Sequence, residues 1–324
     1  MTPERQVEEL IATAQGLLGD AASVGDLKIA SSALSEMRAA FRMFAPYRGV
    51  RKVSTFGSAR TRTGDPVFQL AEEFARRIAD RGYMVITGAG PGIMEACQRG
   101  AGRERSFGIN IRLPHEQSAN PVIHGDVKFV SFRYFFTRKL FFLKEADAVV
   151  LFPGGFGTHD EGFETLTLLQ TGKTRPVPLV LLDRPRGTYW KTWQRYVEDH
   201  ILRRGMIERQ DLALYRVTDN VETAVEEIVR YYRVFHSARY VRDRLVMRLS
   251  RALAAEQVET LAGDFPDIIA AGGMEQRKAL SAERDEPEIA HLPRLVFRFD
   301  RRHFGRLRQL IDAINATADE PPHP

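Results

Sequence analysis

Glu161 stands three residues beyond Thr158, just after the turn Pro153-Gly154-Gly155-Phe156-Gly157. The residues before that turn, AVVLF at 148–152, form a short apolar run that suits a strand buried on both faces of a parallel sheet. Pro153 ends the run, and Gly154, Gly155 and Gly157 allow positive φ and a close approach of backbone amides to a ligand. Thr158 is expected to open a helix. A strand, a glycine turn and a helix N-terminus gather unpaired amide hydrogens and the positive end of a helix dipole, so the expected ligand is a phosphate. Glu161 then has two readings. In one, Thr158 and Glu161 form a capping box that satisfies the first backbone donors of the helix. In the other, the Glu161 carboxylate reaches the sugar that carries the phosphate. Spacing alone favours the cap, because capping boxes are common.

A charged pair, Arg138-Lys139, lies upstream in FRYFFTRKLFFLKEADAVVLFPGGFGT. On so apolar a segment Arg138 reads either as a helix-surface side chain snorkelling to water or as a pocket residue. PGGFGTHDE at 153–161 fits the pattern PGGxGTxxE, and with Arg138-Lys139 it resembles the LOG ("lonely guy") family. That family was once labelled lysine decarboxylases and is now regarded as cytokinin riboside 5'-monophosphate phosphoribohydrolases. The resemblance spans about residues 50–233. It implies hydrolysis of the N-glycosidic bond of AMP or a related purine nucleotide. Glu161 and Arg138 would be the catalytic pair, with Gly154, Gly155, Gly157 and Thr158 on the 5'-phosphate. TGAGPGIMEA at 87–96 is similar to the family's glycine-rich turn lining the nucleotide pocket, which brings in Gly88, Gly90 and Gly92. Ala89 stands where the family more often has glycine. FGSAR at 56–60 matches the family's first strand end, with Ser58 as a hydroxyl partner of phosphate or sugar and Arg60 as a solvated loop charge. Lys139, Asn110 and Tyr134 are further pocket candidates, Phe135 could flank a purine beside Tyr134, and Glu116 reads better as part of a plain loop. His159 replaces a usual aliphatic residue and is expected only to cover the helix start. The resemblance also implies at least a homodimer with pockets near the subunit interface.

Breaking a nucleotide at C1' needs a departing base, an oxocarbenium-like sugar and water on the opposite face. A carboxylate near C1' stabilises that cation and orients the water, which is the role the resemblance gives Glu161. Arg138 stays charged throughout and would hold the phosphate or orient the base. Remote binding of the phosphate positions the reacting bond, so nucleosides lacking it are expected to be poor substrates. Two other readings share the fold: a nucleotide-binding or sensing protein without turnover, and a carrier of a phosphorylated cofactor such as molybdenum cofactor. A lysine decarboxylase needs a pyridoxal phosphate Schiff-base lysine with a pyridinium partner, which nothing in the sequence marks. No metal or other cofactor is expected, since His115 and His124 lack paired ligands at metal spacing.

These residues need a frame, and the segment 49–235 supplies it as a nucleotide-binding catalytic domain. Strands are expected at 50–56, 83–87, 106–111, 127–132, 148–152, 178–182 and 212–217, the last at an edge. Helices are expected at 66–81, 93–99, 134–144, 189–203 and 221–235, with one more beginning at Thr158. That alternation calls for right-handed crossovers and a Rossmann-like, doubly wound parallel sheet with helices on both faces, whose ligands collect at the carboxyl ends of the strands. Trp190 and Trp193 read as packing residues. Residues 1–48 form a helical N-terminal extension, its second helix at 29–44, and carry no evident chemistry. Residues 236–324 form a small α/β C-terminal extension with a polar tail. A helix is expected there at 245–261, an irregular glycine-bearing stretch after it, a strand at 295–299 and a helix at 304–316.

With 324 residues the chain can bury a sizeable core. Its 47 Lys and Arg against 42 Asp and Glu give a net charge of +5, a modest excess that suits a small anion and does not call for nucleic acid. Cys97 is the single cysteine, which excludes a disulfide framework within the chain. MTPERQVEEL has no signal-peptide apolar core and no stretch approaches a membrane span, so a cytoplasmic location and no membrane partner are expected.

Overall fold

The structure, a computed structural model, describes residues 2–112 and 119–319. His115 and Glu116 fall outside the described residues, as does the end of the polar tail. Two helices come first, α1 (Pro3–Gly19) and α2 (Val24–Phe44). The second starts earlier than expected because Ser23 caps it, exchanging hydrogen bonds with Asp26 in a capping box. Strand and helix then alternate: β1 (Lys52–Phe56), α3 (Pro66–Asp80), β2 (Met84–Thr87), α4 (Ile93–Ala101), β3 (Ser106–Ile111), β4 (Phe129–Phe132), α5 (Phe135–Lys144), β5 (Ala148–Leu151), α6 (Phe156–Gln170), β6 (Leu179–Leu182), α7 (Tyr189–Tyr196), β7 (Tyr215–Thr218) and α8 (Val221–Tyr231).

The seven strands form one parallel sheet in the order β4-β3-β2-β1-β5-β6-β7, the Rossmann-like α/β architecture. From β1 the chain winds outward through β2, β3 and β4, then returns to lay β5 on the other side of β1. The order therefore reverses between β1 and β5, and the crevice at their carboxyl ends is where open α/β sheets bind ligands. β1, β2, β5 and β6 are buried throughout, as strands of a parallel sheet covered on both faces are. Val53, Val85, Val150 and Val180 face Phe68, Phe74, Ile93 and Ile228 on α3, α4 and α8. Ile86, Phe107, Leu151 and Leu181 face Phe44, Phe141, Phe142 and Leu169 on α2, α5 and α6. No helix among the described residues is long and apolar enough to cross a membrane.

Three expectations for the C-terminal part are corrected. The last core helix stops at Tyr231, and Phe235 already begins a strand. Residues 245–249 are a strand and not a helix, in a hairpin of β8 (Phe235–Val241) and β9 (Arg244–Leu249). After α9 (Ala255–Asp264) the stretch expected to be irregular is β10 (Ile269–Arg277), followed by β11 (Arg294–Phe299) and α10 (Phe304–Ala316). The four strands form an antiparallel sheet in the order β10-β11-β9-β8. Asn315 on α10 ties it to the core, its Oδ1 accepting from the amides of Val234 and Phe235 at 2.8 and 3.0 Å.

Candidate functional site

β5 delivers the chain to Pro153 at the reversal point, beside the end of β1, where the Ser58 amide donates to Pro153 O at 3.2 Å. Gly154 is obligatory there, since a Cβ would run into Thr158 and come within 3.0 Å of Ser58 N. α6 then starts at Phe156, with Gly155 as its uncapped N-terminal residue. The helix therefore opens two residues before Thr158, and the expected Thr158–Glu161 capping box does not form. Instead the Thr158 amide donates to Gly155 O at 3.0 Å. The amides of Gly155, Phe156 and Gly157 have no acceptor among the described residues, so the positive end of α6 presents them unpaired. Neither Gly155 nor Gly157 has anything within 4 Å of where a Cβ would stand. The glycines here serve close approach; none of Gly154, Gly155 and Gly157 adopts a positive φ.

Freed from a capping role, Glu161 lies one turn deeper on α6 and is only 7% exposed. Burial pushes its carboxyl up to about 7, against the pull of Lys139 and Arg138. Lys139 Nζ lies 3.6 Å from Glu161 and is shared with Asp160 at 2.9 Å and Glu164 at 2.5 Å. Burial works to lower the Lys139 pKa, but the bonds to Glu164 and Asp160 outweigh it and the net shift is upward. Arg138 reaches from α5 across the carboxyl ends of β3 and β2. Its Nε donates to Ile109 O at 2.9 Å, and its Nη2 fills the space that a Cβ on Gly88 would need. Burial draws the Arg138 pKa down while Glu161 holds it up.

Behind the turn, the Tyr189 hydroxyl donates to Gly154 O at 2.5 Å and lies 2.6 Å from His159 Nε2. Tyr189 is fixed by its own amide, which donates to Asp183 at 2.9 Å. Burial lowers the His159 pKa, which favours the neutral ring.

A cavity of about 780 Å³ opens over this arrangement. Its walls bring together Ser58, Gly88, Arg138, Gly154, Gly155, Gly157, Thr158 and Glu161 from the sequence reading, with Arg60 and Phe135 at its margin. Gly90, Gly92, Asn110, Lys139 and Tyr134 are not in its lining. Gly90 O accepts from Asn120 Nδ2, Asn110 Oδ1 accepts from the Ile111 amide, and the Tyr134 ring stacks on Phe136. Met94 and the 96%-exposed Phe156 also line the cavity and escaped the sequence reading. So did Glu164, although three acids at 160, 161 and 164 on one helix signal a cation opposite. Tyr189 carried no local signal at all.

A family described as "Possible lysine decarboxylase" matches residues 93–228. No curated protein matches the chain. Among solved structures, a protein designated TM1055 is similar at 26% identity over 56% of this chain and 99% of its own, with a TM-score of 0.41. A molybdenum cofactor binding protein from Rippkaea orientalis is 17% identical over 55% of this chain and 93% of its own, with a TM-score of 0.39. DNA processing protein A from Helicobacter pylori, whose structure concerns single-stranded DNA binding, is 15% identical over 56% of this chain and 82% of its own, with a TM-score of 0.40. Residues 93–228, which carry Arg138, the glycine turn and Glu161, match the "Possible lysine decarboxylase" family, the LOG-type domain that the motifs resemble.

Proposed function

We propose that the cavity hydrolyses the N-glycosidic bond of a purine nucleoside 5'-monophosphate, releasing free base and ribose 5-phosphate. AMP or an N6-substituted AMP, such as a cytokinin riboside monophosphate, is the substrate class. One observation carries this reading: a buried carboxyl held at about 7 shares its cavity with the unpaired amides of a helix N-terminus. Such a helix end takes the 5'-phosphate on the amides of Gly155, Phe156 and Gly157 and the Thr158 hydroxyl. Ionised Glu161, one turn further along, then faces the ribose, stabilises the cation developing at C1' and orients water. Arg138 stays positive and meets the charge that develops on the departing base or on the phosphate. Ser58 and Gly88 close the sugar side, with Phe135 and Met94 as the apolar flank for a purine. Segment 49–235 is the unit we assign to catalysis, with 1–48 and 236–324 as extensions. A homodimer or larger assembly accords with the exposed Val7, Leu10 and Ile11 of α1 and the exposed Phe136 and Leu140 of α5, and a cytoplasmic location is part of the same proposal.

Incubation with AMP and with adenosine, following free adenine by chromatography, tests the proposal beside Glu161→Gln. Adenine from AMP, little from adenosine, and none from the variant is the expected result. Saturable AMP binding without adenine would replace the hydrolase with the second reading, a nucleotide sensor or a carrier of a larger phosphorylated cofactor such as molybdenum cofactor. The cavity, about 780 Å³, lies within the range of about 300–1,000 Å³ of small-molecule sites, so its size accommodates either reading. The mass of any ligand retained through purification separates sensor from carrier.

A further inference from the structure

We propose that Tyr189 and His159 are positioning residues that set the orientation of the Gly154–Gly155 peptide and so aim the Gly155 amide at the phosphate. The inference rests on the reading of this cavity as a 5'-phosphate site. The direction of each hydrogen bond is fixed by chemistry. Gly154 O can only accept, so the single phenolic proton of Tyr189 goes to it across 2.5 Å. The Tyr189 oxygen is then left as an acceptor, and His159 must donate to it from Nε2 across 2.6 Å. The result is a relay, His159 to Tyr189 to Gly154 O, with His159 in its Nε2–H form.

The peptide after Gly154 is trans, since the chain has no cis bonds among the described residues. Its N–H therefore points away from its carbonyl. Holding Gly154 O on the Tyr189 side turns the Gly155 N–H to the opposite side, where it has no acceptor among the described residues. This peptide needs such a hold. Two glycines flank it, and without a Cβ on either residue it rotates more freely than any other in the turn. A rotated peptide would present a carbonyl oxygen to the phosphate in place of an amide hydrogen. Tyr189 can act as a fixed post because its amide is bound to Asp183 at 2.9 Å and its ring meets Trp190 edge-on at 4.8 Å. His159 is packed against Trp190 at 5.7 Å. An aliphatic side chain at position 159 could pack there but could not donate.

Binding of ribose 5-phosphate by calorimetry, with kcat/KM for AMP and for adenosine, tests the proposal in Tyr189→Phe, His159→Leu and His159→Gln. Tyr189→Phe should lower ribose 5-phosphate affinity and AMP kcat/KM about tenfold, the loss of one charge-assisted hydrogen bond. The low adenosine kcat/KM, which draws on no phosphate contact, should stay within about twofold of wild type. His159→Leu should move the same ratio less, and His159→Gln, which keeps a donor, should restore it. Equal losses on AMP and adenosine, or an unchanged ribose 5-phosphate affinity, would overturn the proposal. Should Tyr189→Phe not fold, the Leu and Gln pair at 159 decides alone. A wild-type protein that binds ribose 5-phosphate but releases no adenine defeats the hydrolase reading, while the variants' affinities still decide this one. A wild type that binds no ribose 5-phosphate defeats both.

Discussion

Two glycine-rich turns join strand to helix on the same edge of the sheet, one after β5 and one after β2, and they end up packed very differently. In the β2–α4 turn the protein engages the Ala89 amide and the carbonyls of Ala89, Gly90 and Gly92. The Ala89 amide donates to Thr87 Oγ1 at 2.9 Å, and Asn120 bonds both Ala89 O and Gly90 O. The first amide of α4, from Ile93, goes to Ser58 O at 3.1 Å. Gly92, at φ 68°, is pressed against the backbone of Ser58 and Ala59. In the β5–α6 turn Gly155 and Gly157 face open space and their amides are unpaired. Glycine content is nearly equal in the two. What separates them is packing: Gly88 and Gly92 are crowded by Arg138 and by the Ser58–Ala59 backbone, whereas Gly155 and Gly157 have nothing within 4 Å. Of the first three glycines only Gly88 lines the cavity into which the second turn opens.

Glu161, the group the open turn leaves beside its ligand, is the most consequential position. Glu161→Gln should lower AMP turnover about 10³-fold, in the range seen for losing an electrostatic transition-state contact. The same change should stabilise the fold. A carboxyl usually near 4.5 and raised to about 7 when folded costs stability as pH rises from about 4.5 to about 7, and the cost is complete above that. At pH 8 the Gln variant should therefore be more stable by up to about 3 kcal/mol, and at pH 4 the difference should vanish, as read from urea midpoints. Wild-type kcat/KM should rise with pH through a midpoint near 7, where Glu161 is half ionised, and level off above it. An active, unstabilised Gln variant would break the assignment of the open turn as the working one.

Next in size is Gly92→Ala in the closed turn. A side chain there meets a positive φ and the Ser58–Ala59 backbone at once, so a loss of about 3 kcal/mol is expected. Gly155→Ala inverts the pattern. Its φ of −87° suits alanine and its Cβ would meet nothing, so the urea midpoint should barely move. Ribose 5-phosphate affinity should fall about tenfold as the methyl holds the phosphate off the amides. If Gly155→Ala destabilised the fold as much as Gly92→Ala, the two turns would not differ as described.

Much of the frame was legible because each core strand announces itself as a short apolar run ended by glycine or proline, as AVVLFPGG does. The hairpin of β8 and β9 gave no such notice. Its turn falls at Arg242-Asp243, with Arg242 at φ 57° in a place where glycine or asparagine usually marks a hairpin. LVMRL, buried on both faces, fits helix or strand equally well. In β10 the pair Gly272-Gly273 read as an interruption, whereas the pairing with β11 absorbs it in register shifts. At the site, the residue types were legible and their engagement was not. Thr158 and Glu161 have the spacing of a cap, but the helix begins two residues earlier and leaves the carboxyl to the cavity. Tyr189 is 35 residues from Gly154 and comes to it only through the packing of α7 beside α6.

The smallest effect falls on Ala89. Ala89, at φ 60°, occupies a left-handed conformation in the closed turn. Ala89→Gly relieves about 1–2 kcal/mol of that cost. It forfeits a fully buried methyl worth about 0.8 kcal/mol, and a further ~0.4–1 kcal/mol goes to the freer unfolded chain. These contributions nearly cancel, so the urea midpoint should shift by less than about 0.5 kcal/mol equivalent. Ribose 5-phosphate affinity should not change, because the amide at 89 is already given to Thr87 and adding flexibility frees no donor. Tighter binding in Ala89→Gly would mean that the turn after β2 can release an amide to the ligand, and the division between a closed turn and an open anion site would fall with it.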